Sequence, residues 1–234
     1  MRRLLLLAAG LLAAATASAA QVPVQGEERA RLLERFAEQQ RGVSALRAAV
    51  VERKRHPSLK GEVVRTGTLL LERPDRLRWE LDGGPDRLIA VVDGPQLLVY
   101  RPERREAERH DLRYDFAARG AFEFLTAGLT APAALEKRFE LAVSRDDGRT
   151  LLTLTPRSRF VAQVVASILI VQEDGDPAPA QLVIVGARGD RTEIRLSEMV
   201  VNPPLPADAF ALTLGPGVRV VEFGKGADGT ESGH

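Results

Sequence analysis

Cysteine is absent from all 234 residues. That absence excludes disulfides, thiolate metal sites, a cysteine nucleophile and a lipid anchor built on an N-terminal cysteine. Histidine is scarce, with three residues: His56 in the charged run Glu52-Arg53-Lys54-Arg55-His56, His110 in Arg109-His110-Asp111, and His234 at the C-terminus. No two of them have the helical or hairpin spacing of a zinc site, so no metal is expected. His56 and His234 read as solvated, and His110 as one half of a surface ion pair. There is no G-x-S-x-G either, so a serine nucleophile would lack its turn and its base, and no catalytic residues are assigned.

Neither charge sign is in excess. A cut after residue 20 would remove Arg2 and Arg3 from 33 basic side chains and none of the 32 acidic ones, leaving a net charge of −1. No general attraction to nucleic acid or to an anionic membrane follows. Long apolar runs are missing as well, except for Leu4 to Ala15, which falls short of the roughly 20 residues that cross a bilayer. It follows Met1-Arg2-Arg3 and precedes Ala17-Ser18-Ala19-Ala20, the order of a secretory signal peptide over residues 1–20. An exported chain without cysteine points to the bacterial periplasm or exterior, and to a core large enough to hold without cross-links.

What the chain has in plenty is alternating apolar sequence. Gly26 to Gln40 carries Ala30, Leu32, Leu33, Phe36 and Ala37 at helical spacing. After Gly42, runs of Val, Ile, Leu and Thr recur about every ten residues between turn signals such as Asp82-Gly83-Gly84-Pro85, Asp93-Gly94 and Asp146-Asp147-Gly148. Strands are expected over 44–54, 61–72, 76–82, 87–93, 96–101, 105–112, 139–145, 149–156, 163–173, 180–188, 191–201 and 218–223. Between Tyr114 and Lys137 the alternation lapses into Phe116, Phe122, Phe124, Leu125 and Leu129 among alanines, which reads as one or two short helices. The acidic clusters Asp146-Asp147-Gly148 and Glu173-Asp174-Gly175-Asp176 fall at hairpin turns, and turn chemistry accounts for them. The chain is expected to be mainly β, a single domain over 21–223 built as one curved antiparallel sheet or open barrel of about 11 strands. The tail 224–234 is polar and glycine-rich; its Gly224-x-Gly226-x-x-Gly229 leaves no room for the helix a dinucleotide loop needs.

The stretch Leu69-Leu70-Leu71-Glu72-Arg73-Pro74-Asp75-Arg76-Leu77-Arg78-Trp79-Glu80-Leu81 sets the functional question. Leu69 and Leu71 share a face before the Pro-Asp turn, and Leu77, Trp79 and Leu81 share one after it, with Arg78 and Glu80 opposite. The same parity continues through Ile89, Val91, Leu97, Val99, Leu152, Leu154, Ile168, Ile170, Leu182 and Ile184. Such a face covers either its own packed core or a guest, and the pattern alone favours the core.

A resemblance bears on that choice. Gly67 to Trp79, Ala90-Val91-Val92-Asp93-Gly94, Leu97-Leu98-Val99-Tyr100, Phe122-Glu123-Phe124-Leu125, Leu152-Thr153-Leu154-Thr155-Pro156 and Phe210 to Val218 resemble, in order and spacing, the periplasmic lipoprotein carriers of the LolA type. The resemblance implies an unclosed β-barrel whose hydrophobic cavity takes the acyl chains of a lipoprotein or another lipid. The fifteen residues from Leu69 to Ile184 named above would be the acyl-chain-binding set. Phe122, Phe124, Leu125 and Leu129 would form a helical lid, and Arg73 would latch it shut in the empty state. It further implies a monomer without cofactor or enzymatic activity, loaded by an inner-membrane release complex and emptied by an outer-membrane acceptor. A lipid-responsive regulatory or envelope-assembly protein on the same scaffold is the other reading.

Overall fold

The computed structural model describes residues 22–58 and 60–224. The expected signal peptide, the tail from Lys225 onward and His234 lie outside them. The chain runs β1 (Val22–Val24), α1 (Gly26–Arg41), β2 (Ala45–Arg55), β3 (Glu62–Glu72), β4 (Arg76–Asp82), β5 (Leu88–Asp93), β6 (Gln96–Arg101) and β7 (Glu106–Asp111). It continues with α2 (Phe116–Leu125), α3 (Pro132–Glu136), β8 (Phe139–Asp146), β9 (Arg149–Pro156), α4 (Arg159–Ala162), β10 (Val165–Glu173), β11 (Gln181–Gly186), β12 (Arg191–Val201) and β13 (Arg219–Phe223).

All the strands form one 13-stranded sheet in the order β1-β8-β9-β10-β11-β12-β2-β3-β4-β5-β6-β7-β13. Every neighbouring pair is antiparallel except β13 beside β7. The sheet does not close, since β1 and β13 are its two edges. It is strongly curved: Val99 of β6 and Ile184 of β11 line one cavity although six strand spacings, about 29 Å in a flat sheet, separate them. Gly67 contributes where β3 crosses β4, because a Cβ there would sit 1.9 Å from the Glu80 carbonyl oxygen. The β8–β9 hairpin turns through Asp147 and Gly148, both with positive φ, as its Asp-Gly spelling requires.

The strand order dictates what covers the sheet. β7 and β8 lie next to opposite edges, so the segment joining them, which carries α2 and α3, spans the sheet, and it does so over the hollow face. α1 leaves the β1 edge for β2 at mid-sheet and buries Leu32, Phe36 and Gln40 on that same face. The connection from β12 to β13 crosses the outer face instead, where Phe210, Leu205 and Leu212 pack. A crossover of this length is what a parallel pair such as β7–β13 needs. Strand β1, the parallel direction of β13 and the short helix α4 were not legible in the sequence; each is short or set by a distant partner.

Candidate functional site

Register fixes which side chains face the hollow. Leu77, Trp79 and Leu81 lie opposite Val92, Ala90 and Leu88, and Ala90 and Val92 lie opposite Val99 and Leu97. These residues, with Ile184 and Ile194 from the other half of the sheet, enclose a cavity of about 330 Å³. α2 covers it through Ala118, Ala121, Phe122, Phe124 and Leu125. Leu69, Leu71 and Leu182 line a smaller void of about 30 Å³ that shares Leu77, Trp79, Leu125 and Ile194 with the first.

Two groups of expected guest-facing residues stand elsewhere. Ile89 and Val91 point outward, opposite Glu80 and Arg78, and form a separate apolar cluster with Phe210. The stretch Leu88-Ile89-Ala90-Val91-Val92 is apolar on both faces, so its parity cannot be read from alternation; the segment around Phe210 is what makes its outer face apolar. Leu152, Leu154, Ile168 and Ile170 do face inward but are fully buried and line neither cavity. They belong to the same packed cluster as Phe36 of α1 and Leu135 of α3. The hollow face is thus divided: its β8–β10 half is filled by packed core, and its β4–β6 half holds open space.

The helix over the open half is held differently from α1. No side chain of α2 is fully buried, and Phe122, Phe124 and Leu125 are half-buried over the cavity. Its N-terminus is capped by Asp115, whose carboxylate accepts from the Ala118 N–H at 2.9 Å and lies 2.7 Å from Nδ1 of His110. His110 is largely buried rather than at the surface, and stacks on Phe223 with ring centroids 4.7 Å apart. The Ala118 N–H, followed by the His110 ring, holds the Asp115 carboxyl below the usual aspartate value.

Beyond the C-terminus of α2, the single turn Ala127–Leu129 is gripped twice. Arg73 donates from Nη2 to the Leu129 carbonyl at 2.5 Å, and Gln40 donates from Nε2 to the Gly128 carbonyl at 2.6 Å. Partial burial holds the Arg73 guanidinium below the usual arginine value. Gln40 was not singled out from sequence, although the signal is there: it continues the Leu32, Phe36 stripe of α1 at i+4 and i+8, a polar residue in an apolar row.

At the far end of β3 from Arg73, about eight residues or 26 Å along the strand, the cavity wall turns polar through Glu52, Lys54, Arg65 and Thr192. Glu52 Oε1 lies 3.5 Å from Arg65 Nη1 and 3.8 Å from Lys54 Nζ. Among the described residues no group of three His, Asp or Glu side chains is placed to hold a metal ion, and no helix is long and apolar enough to cross a membrane.

An open, strongly curved sheet with an apolar hollow under a helix defines the class of helix-covered half-barrels. The chain belongs to the family of the outer membrane lipoprotein carrier protein LolA, whose sequence profile matches residues 41–213. An outer-membrane lipoprotein carrier protein of Xanthomonas oryzae is 31% identical over 160 residues, covering 67% of this chain and 71% of that protein. Another, of Halorhodospira halophila, is 30% identical over 165 residues, covering 70% and 73%. Among solved structures, a LolA-superfamily protein of Nitrosomonas europaea superposes with a TM-score of 0.43 at 14% identity, covering 77% of this chain and 97% of that one.

Proposed function

We propose that the protein is a non-enzymatic periplasmic carrier that takes the acyl chains of lipoproteins into its hollow and moves them from the inner to the outer membrane. The observation that carries this reading is the apolar cavity of about 330 Å³ beneath a helix with no fully buried side chain. Leu77, Trp79, Leu81, Leu97, Val99 and Ile184 contact the chains first. Leu69, Leu71 and Leu182 join once Leu125 and Leu129 move aside. Arg73 is the latch of the closed state, and Phe122, Phe124, Leu125 and Leu129 are the apolar underside of the lid. Loading from an inner-membrane release complex and discharge to an outer-membrane acceptor follow from the same reading.

Energetics require a latch. Burying a methylene contributes about 0.8 kcal/mol, so one 16-carbon chain approaches roughly 12 kcal/mol and three would pass the practical ceiling of affinity. A carrier that releases its cargo needs an opposing term, and the closed, hydrogen-bonded lid supplies one. Native mass spectrometry of the protein purified from periplasm tests the reading. A co-purifying lipidated polypeptide is expected. A bare phospholipid or glycolipid would redirect the function to another lipid, and a protein consistently empty would favour a regulatory role on the same scaffold.

A further inference from the structure

Three residues that line the cavity carry buried polar atoms without a hydrogen-bond partner among the described residues: Glu52 Oε1, Arg65 Nε and Trp79 Nε1. Glu52 is the most telling. Its side chain is 8% exposed, and it is flanked across the sheet by Arg65 on β3 and Ile194 on β12. Buried polar groups in native proteins are satisfied as a rule, so a group left without a hydrogen bond inside a cavity of this size is a candidate contact for whatever fills the cavity.

The set defines what that partner must offer. Arg65 Nε–H and Trp79 Nε1–H are donors and require an acceptor. The Glu52 carboxylate accepts only; Arg65 and Lys54 stand at ion-pair range of its Oε1 without a hydrogen bond to it, so it can take a further donor. An ester provides acceptors alone. A phosphodiester also provides acceptors alone, and its negative charge would meet Glu52 as well as Arg65 and Lys54. A secondary amide provides both, a carbonyl oxygen and an N–H. Resting on the acyl-carrier reading above, we propose that the Glu52–Arg65 end of the cavity is a subsite for an amide-linked acyl chain. The amide N–H donates to Glu52, the amide carbonyl accepts from Arg65, and the hydrocarbon lies along Leu77, Leu81 and Leu97. The cavity would then discriminate acylated polypeptides from ordinary phospholipids by their linkage and not by their chains.

The test is displacement of a fluorescent acyl probe from the full-length mature protein by four ligands with the same chain: N-methylhexadecanamide, N,N-dimethylhexadecanamide, methyl hexadecanoate and hexadecyl phosphate. The N-methyl amide is expected to bind about tenfold more tightly than the dimethyl amide and the ester, the effect of one buried hydrogen bond to a charged group. In Glu52→Leu this preference should fall to within about twofold while the ester's affinity is kept, because the ester makes no bond to Glu52. Equal affinity of the three neutral ligands for the unmodified protein overturns the subsite while leaving the carrier intact, and this comparison needs no variant to fold. Preference for hexadecyl phosphate overturns it in favour of an anion site. Failure of the acyl probe to bind at all overturns the carrier reading, and the subsite with it.

Discussion

Arg73 and Gln40 reach the same short turn from different elements, and their consequences differ. Gln40 is 3% exposed and its bond to Gly128 lies inside the core, so it fixes where the turn sits. Arg73 lies at the rim beside Pro74, Phe122 and Thr130. Arg73→Leu removes a charged donor from the Leu129 carbonyl, worth about 1 to 3 kcal/mol to the closed form, and adds apolar surface at the cavity mouth. Lid opening then opposes binding less. Acyl-probe affinity is expected to rise by roughly five- to a hundredfold, with release slowed in proportion. Unchanged or weaker binding would show Arg73 to be an ordinary rim arginine. Asp115 acts at the other end of α2. Its folded pKa is depressed, so the stability it contributes is present above the unfolded value and lost as pH falls through the folded one. The cap should therefore hold through neutral pH and weaken only below about pH 4. Asp115→Asn keeps a capping oxygen but does not titrate. Melting curves should show the wild type ahead at pH 6 and the gap closing towards about pH 3; a constant gap would remove the carboxylate from the explanation.

α2 and the sheet differ as elements in how they are held, and hydrogen exchange can read that difference. α2 has no fully buried side chain, whereas β9 and β10 carry residues with no exposure at all, so amides of 116–131 should exchange far faster than those of 150–154 and 168–171. Equal protection would make α2 a fixed part of the core. The same contrast explains what the sequence made legible. β4, β6, β9 and β12 begin and end where their alternation begins and ends, because each is bounded by a local turn signal such as Pro74-Asp75 or Asp147-Gly148. The helix over Gly26–Arg41 and the helical interruption after Tyr114 were equally plain from period. Long-range information was not available locally. Ile89 and Val91 turn outward because the distant Phe210 covers them. Leu152 and Ile168 are core and not cavity wall because α1 and α3 fill that half of the hollow. The Glu52–Arg65 pair is a cavity feature only because β2 and β3 align them at one level; in sequence Glu52 is part of a charged run and Arg65 stands alone between valines and threonine.

At the scale of the whole molecule, the proposed carrier role calls for moving one segment across a sheet that stays intact, and the lack of cysteine makes that movement directly addressable. The turn at Gly128 meets the β10–β11 connection at Pro179. A Cβ on Gly128 would lie 3.5 Å from the Pro179 Cβ and 2.9 Å from its Cγ. That Cβ separation falls within the roughly 3.5 to 4.5 Å of disulfides, and replacing the proline removes the atom that crowds closest. Gly128→Cys with Pro179→Cys should therefore form a single, unambiguous cross-link in a protein with no other thiol. The link ties the turn already held by Arg73 and Gln40 to the opposite half of the sheet. The small void between them, lined by Leu69, Leu71, Leu125, Leu129 and Leu182, then cannot widen to admit chain. Oxidation is expected to lower acyl-probe affinity by at least about tenfold and reduction to restore it, because the locked form withholds the binding-competent state. Affinity indifferent to oxidation, with the cross-link verified by mass, would mean that the turn stays fixed during loading and that α2 opens from its Asp115 end instead. In that case Arg73→Leu would leave release unchanged, so the two variants together identify which end of the lid moves.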